Sequence, residues 1–129
     1  MNLLKNQVQS LSKRLIGQNY EALAQKYLIR HGLTPVAMNF SAKCGEIDLI
    51  MKDSHCIVFI EVKYRKNDQF GSAAEMVTPS KAKKLIKTAQ FWLSKHGLSF
   101  YDTEFRFDVL AIEDNGSNIN WIKNAITQG

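Results

Sequence analysis

Gly45-Glu46-Ile47-Asp48-Leu49-Ile50, followed after a short gap by Phe59-Ile60-Glu61-Val62-Lys63, sets carboxylates and a lysine inside two otherwise apolar runs. A strand sends successive side chains to opposite faces, so Glu46, Asp48 and Ile50 are expected on one face and Ile47, Leu49 and Met51 on the other. In the second run Ile57, Phe59, Glu61 and Lys63 share a face, opposite Val58, Ile60, Val62 and Tyr64. If Asp53-Ser54-His55-Cys56 closes a hairpin, Asp48 falls directly across from Glu61 and Glu46 across from Lys63, with Cβ atoms roughly 5 Å apart. A loop one residue longer or shorter would turn Asp48 and Glu61 onto opposite faces unless a bulge restored them.

Two carboxylates at that spacing repel by about 3 kcal/mol at an effective dielectric near 20. A shared proton or the Lys63 ammonium offsets part of this. A divalent metal does so best, because Mg²⁺ favours carboxylate oxygens and keeps several waters. Such an ion polarises a phosphoryl oxygen and activates a bound water, and a neighbouring lysine can orient that water or stabilise charge on the phosphorus oxygens. The plainer reading is edge-strand charge that blocks aggregation, or a cross-strand salt bridge. Edge protection usually takes one lysine, not three acids and a base at coordinated positions in adjoining runs.

Asp48, a gap of twelve residues, then Glu61-Val62-Lys63 resembles the PD-(D/E)xK nuclease motif. The chain more closely resembles the YraN-like family of small bacterial proteins, which are similar to archaeal Holliday-junction resolvases. The resemblance covers residues 17 to 125. It rests on Gly17, Glu21-Ala22-Leu23-Ala24, Tyr27-Leu28, Gly32, Asn39, the Gly45 and Phe59 runs through Arg65, Phe70-Gly71, Lys81 and Arg106-Phe107-Asp108-Val109. The resemblance implies an α/β fold of the restriction-endonuclease-like kind, a three-layer sandwich with a mixed central sheet of about five strands flanked by helices. It also implies a site built from Glu21, Asp48, Glu61 and Lys63. Junction cleavage itself does not follow from a likeness of fold.

At 129 residues the chain is long enough for one domain with a genuine core. Residues 1–16 are expected to form a basic N-terminal arm or helix extension, residues 17–125 the nuclease-like domain that the resemblance implies, and 126–129 a tail. With 17 Lys and Arg against 12 Asp and Glu, the net charge is +5 and the pI near 9.3. That balance is compatible with a polyanionic partner and equally with mere solubility. Lys81, Lys83, Lys84, Lys87 and Lys95 occupy one acid-free helix, and Lys63, Arg65 and Lys66 follow the acidic strand. No apolar run reaches the roughly 18 residues of a membrane span, and the N-terminus lacks the core of a signal peptide, so a cytoplasmic protein without membrane contact is expected. Cys44 and Cys56 have no metal-type spacing and are expected as reduced thiols. His31 and His96 lie near helix ends, where they can meet C-terminal carbonyls, and are not assigned to the site.

The expected order is helix, three strands, helix, two strands. Residues 17–31 repeat apolar groups at Tyr20, Leu23, Ala24, Tyr27 and Leu28, ending at Gly32. Glu21 lies about 20° from Leu28 on the helical wheel and edges that stripe. A first strand is expected over 34–40, with Asn39 and 41–43 turning into the Gly45 strand. Residues 64–77 read as a loop whose Arg65, Lys66 and Gln69 grip phosphates, or as a solvated connector. Thr78 and Pro79 open a second helix that Gly97 stops. A strand over 104–112 puts Arg106 and Asp108 on one face, where they either pair to hold the sheet or support the site together with Glu46. A final strand over 119–122 follows the Asp114-Asn115-Gly116-Ser117 turn.

The expected function is a metal-dependent endonuclease. Glu21, Asp48, Glu61 and the Val62 carbonyl hold Mg²⁺ or Mn²⁺, Lys63 assists the attacking water, and Lys81 joins Arg65, Lys66 and Gln69 in nucleic-acid binding. DNA, structured or branched, is the favoured substrate, and a homodimer or an unidentified protein partner would suit a resolvase-like enzyme. The alternative is a non-catalytic module of DNA processing that binds nucleic acid or a protein and keeps the fold.

Overall fold

A computed structural model describes residues 20–65, 77–113 and 116–126. Helix α1 is described over 20–30, and strands β1 (Thr34–Ala42), β2 (Gly45–Asp53) and β3 (Cys56–Arg65) follow it. Helix α2 (Pro79–Lys95) then precedes β4 (Phe105–Glu113) and β5 (Asn118–Ile122). The five strands make one sheet in sequence order. β3 and β4 run parallel and every other neighbouring pair antiparallel. Parallel strands need a long crossover, and α2 lies in the segment that makes it. The mixed sheet and expected element order are therefore present, with β1 running on to Ala42 rather than turning at Asn39.

Strand alternation gives the sheet two apolar faces. Leu49, Met51, Val58, Ile60, Leu110 and Ile112 pack against Ala24 and Leu28 of α1. Ile47, Ile50, Ile57, Phe59 and Phe107 pack against Leu85, Ala89, Trp92 and Leu93 of α2. This is the helix–sheet–helix layering of an α/β sandwich. Phe59 anchors the second core by meeting Trp92 and Phe105 edge-on and stacking on Phe107, geometries that add to its burial. Thr78 caps α2 by accepting the Lys81 N–H at 3.2 Å, with Pro79 opening the helix. Gly97 takes the left-handed conformation after its end. His31 and His96 each set Nδ1 2.8 Å from the carbonyl oxygen four residues earlier, on Tyr27 and Trp92. Each also stacks on that aromatic ring. Both cysteines are free thiols.

One expectation about β2 is corrected. Ile47 lies with Ile50 on the α2 side, not with Leu49 and Met51. The cause is an irregularity shared with β1. Met38 pairs Leu49 and Phe40 pairs Ile47, whereas Asn39 and Asp48 between them do not pair. Asn39 adopts φ +53°, a left-handed conformation that asparagine tolerates better than most side chains. The register is the same on either side of this unpaired position, so the break in alternation lies in the local backbone at Asn39 and Asp48, whereas the register shift between the two strands falls between Pro35 and Ala37.

Arg106 and Asp108 pair, the first of the two roles open to them. Asp108, 1% exposed, accepts from Arg106 Nε at 3.0 and 3.2 Å, Trp121 Nε1 at 2.9 Å and the Asn124 N–H at 2.8 Å. Arg106 Nη1 reaches Asp53 of the β2–β3 turn at 3.1 Å. The group ties β4 to that turn and to the residues around β5, and serves the sheet rather than Glu21, Asp48 or Glu61. Asp108→Ala would leave Arg106 short of a buried partner, with an expected loss of about 3 kcal/mol in urea denaturation. A loss below about 1 kcal/mol would show that this cluster does not hold the sheet.

Gly45 opens the decisive strand at φ +153°, and a Cβ there would lie 2.9 Å from Thr88 Oγ1. Thr88 is fully buried and donates to the Lys84 carbonyl at 2.7 Å, so it has little room to yield. Gly45→Ala is expected to cost about 1–3 kcal/mol by the same assay, and an unchanged midpoint would refute the close approach of β2 to α2.

Candidate active site

β2 and β3 pair from Asp53–Cys56 to Leu49–Ile60 and no farther. Asp48 and Glu61 are the next residues on each strand. Where the ladder stops, the Asp48 carboxylate accepts the Val62 N–H at 2.9 Å. Because the pairing ends there, the expected cross-strand pair of Glu46 with Lys63 does not form, and Glu46 is exposed at the strand's start. Its charge still bears on Glu21.

Glu61 is 8% exposed, and a carboxylate so buried needs compensating charge. It takes Lys63 Nζ at 3.3 Å and Lys81 Nζ at 2.7 Å on the same oxygen, Oε1. Lys63 arrives from two residues along β3, on the same face of the strand. Lys81 comes from the first turns of α2, a position fixed by the Thr78 cap.

Burial first, and then the Glu61 charge, push the Asp48 carboxyl up to about 7. Glu21 and a carboxyl–carboxyl hydrogen bond with Glu61 add to the rise, against the Val62 N–H. Glu21 is raised by burial, then by Glu46 and Glu61, and lowered by a hydrogen bond with Asn39. Its Oε2 is buried with no hydrogen-bond partner among the described residues. Burial and the adjacent Lys81 ammonium lower Lys63, more than Glu61 raises it. Burial opposes the proton on Lys81, but its hydrogen bonds with Glu61 and Lys63 prevail and raise it.

The remaining expected contacts fare differently. Arg65 was expected to grip phosphate from a loop; it is instead the last residue of β3, 6% exposed, and its guanidinium is ion-paired with Glu113 of the neighbouring strand. A guanidinium so enclosed does not face a solvent-borne phosphate, nor is it part of a solvated connector. Lys66 and Gln69, and the residue 1–16 arm, lie outside the described residues. Lys83, Lys84 and Lys87 are exposed on α2. Asn39, expected in a turn, instead lies within β1 at φ +53° opposite the unpaired Asp48, and its effect on Glu21 is to lower that carboxyl. Its place inside an otherwise β-forming run was the available signal.

Three carboxylates and a backbone carbonyl are hard oxygen donors of the sort Mg²⁺ and Mn²⁺ take. The unpartnered Glu21 oxygen and the elevated Asp48 fit such an ion. The set is not preassembled, since among the described residues no three His, Cys, Asp or Glu side chains gather at ligand spacing.

Residues 20–112 match the family described as "Uncharacterised protein family UPF0102". The chain belongs to this family. It is 61% identical over 118 residues to a UPF0102 protein of Vibrio vulnificus strain YJ016, covering 92% of this chain and 97% of that protein. It is 55% identical over 118 residues to one of Aliivibrio salmonicida, covering 92% and 96%. To one of Photobacterium profundum it is 52% identical over 119 residues, covering 92% and 95%. UPF0102 is the YraN-like family of the resemblance drawn above, and membership is consistent with the nuclease superfamily. Among the described residues no helix is long and apolar enough to cross a membrane.

The elevated Asp48 links stability to pH. Folded Asp48 holds its proton more tightly than the unfolded chain does, so its contribution is complete below the ordinary carboxyl value of 3.8 and is lost as pH rises through about 7. In EDTA at pH 8, Asp48→Asn is expected to stabilise the protein by about 2 kcal/mol in urea denaturation. The gain should shrink toward zero at pH 4. An Asn variant no more stable than wild type at pH 8 would contradict the burial and crowding of this carboxyl.

Proposed function

We propose that this UPF0102 protein is a cytoplasmic, metal-dependent nuclease that hydrolyses phosphodiester bonds, with structured or branched DNA as the favoured substrate. The convergence of Asp48, Glu61 and Lys63 where β2 and β3 part carries this reading. Glu21 contributes from α1 to the same set of mutually repelling acids. A pure binder gains little from buried carboxylates that repel phosphate.

Glu21, Asp48, Glu61 and the Val62 carbonyl are the groups that would hold Mg²⁺ or Mn²⁺. When bound, the ion supplies Lewis-acid polarisation of the phosphoryl group and activation of water. The chain's own residues supply the rest. The Asp48–Val62 hydrogen bond fixes one carboxylate relative to the carbonyl beside it. Lys63, held by Glu61, presents an amine that orients the attacking water and steadies charge on the phosphorus oxygens. The exposed lysines of α2 offer phosphate contacts without base readout, which suits selection by structure rather than sequence.

One observation favours the second reading, a non-catalytic nucleic-acid-binding or protein-interaction module. Two lysines already neutralise Glu61 without a metal. A panel of labelled duplex, single strand, flap, four-way junction and RNA, assayed with Mg²⁺ and with Mn²⁺, separates the two. Cleavage of a branched DNA is expected, abolished in Lys63→Ala while that variant still binds metal by calorimetry. Nucleic-acid affinity should fall steeply with added salt. Binding without cleavage of any substrate would leave the module reading in its place.

A further inference from the structure

Lys81 contacts Glu61 more closely than Lys63 does, at 2.7 Å against 3.3 Å, on the same carboxylate oxygen. Its side chain is also the more exposed of the two, 38% against 18%. It springs from the first turns of α2, whose outer face carries the exposed Lys83, Lys84 and Lys87. From these contacts we propose that Lys81 is a built-in cation surrogate: it neutralises Glu61 in the metal-free protein, leaves when a divalent ion binds, and then takes a nucleic-acid phosphate. The inference rests on the metal-dependent reading above and adds to it a coupling between metal loading and substrate binding.

Charge balance supplies the reason. Three acids, Glu21, Asp48 and Glu61, face two ammonium groups, Lys63 and Lys81. A divalent cation on the acids leaves both lysines facing an excess of positive charge at close range. Lys63 is the more enclosed and is tethered to the strand beside Glu61, whereas the Lys81 head can swing into solvent along a long flexible stem. A phosphate beside the site stabilises the released ammonium. Because binding free energies are reciprocal, a ligand that draws Lys81 away from Glu61 raises metal affinity, and metal raises affinity for that ligand.

The test is calorimetric titration of Mn²⁺ into wild type, Lys81→Met and Lys52→Met, each alone and with a phosphorothioate oligonucleotide that resists cleavage; Lys52 is an exposed lysine of β2. The Lys81 side chain takes no part in the helix cap, so Lys81→Met should fold, as a thermal melt will verify. Without oligonucleotide, Lys81→Met is expected to bind Mn²⁺ about tenfold more tightly than wild type, the size of one charge-assisted hydrogen bond. Lys52→Met should stay within about twofold, as a control for general charge. The oligonucleotide should tighten Mn²⁺ binding in wild type and do so less in Lys81→Met. If wild type binds Mn²⁺ and folded Lys81→Met binds it no more tightly, the surrogate role is overturned while the metal-dependent reading stands. If none of the three proteins binds Mn²⁺, both fall together.

Discussion

The Asp48 carboxylate accepting the Val62 N–H is the contact on which the organisation of the site depends. It stands where the β2–β3 ladder ends, so a side chain satisfies a backbone donor just past the last cross-strand pair. A continuous ladder would have left Asp48 and Glu61 as a close pair on a sheet surface. Because the pairing stops, the carboxylates lie at a fork that both flanking layers can reach. Glu21 comes from α1 and Lys81 from α2, and their charges meet at Asp48 and Glu61.

Holding that many ionisable groups together is unfavourable unless the surrounding structure enforces it. Here the enforcement is identifiable. Phe59 and Ile60, just before Glu61, are buried on opposite faces and clamp β3 between the two cores. Gly45 lets the start of β2 lie against Thr88 of α2. Asp108, with Arg106, Trp121 and Asn124, locks the β4 and β5 side of the sheet without drawing on the acids. The residual repulsion appears in Asp48, whose carboxyl is pushed up to about 7. Carboxyls perturbed in this way recur at functional sites, and structural ion-pair networks shift them as well.

Much of the fold was legible because its signals are local. The alternating Gly45 and Phe59 runs, the Thr78-Pro79 opening of α2 and the helix-terminal histidines each depend on a few neighbouring residues. The hairpin register was legible for the same reason, since Asp53 and Cys56 close it as the turn residues suggest. The side on which Ile47 packs was not, because it depends on Asn39 in the adjoining strand. The partner of Arg65 was hidden for a related reason. Glu113 is far along the chain and becomes its neighbour only through the parallel β3–β4 pairing. Lys81 could be read as basic, but its contact with Glu61 depends on where α2 lies across the sheet.

In the account proposed here, these charges are arranged for a divalent cation at the fork. Paramagnetic broadening by Mn²⁺ in the amide NMR spectrum tests this most directly. At substoichiometric Mn²⁺, the resonances of Glu21, Asp48, Val62 and Lys63 should broaden first, with those of Asp102 and Glu104 untouched. Broadening at Asp102 and Glu104 with the fork unaffected, or no selective broadening anywhere, would contradict it.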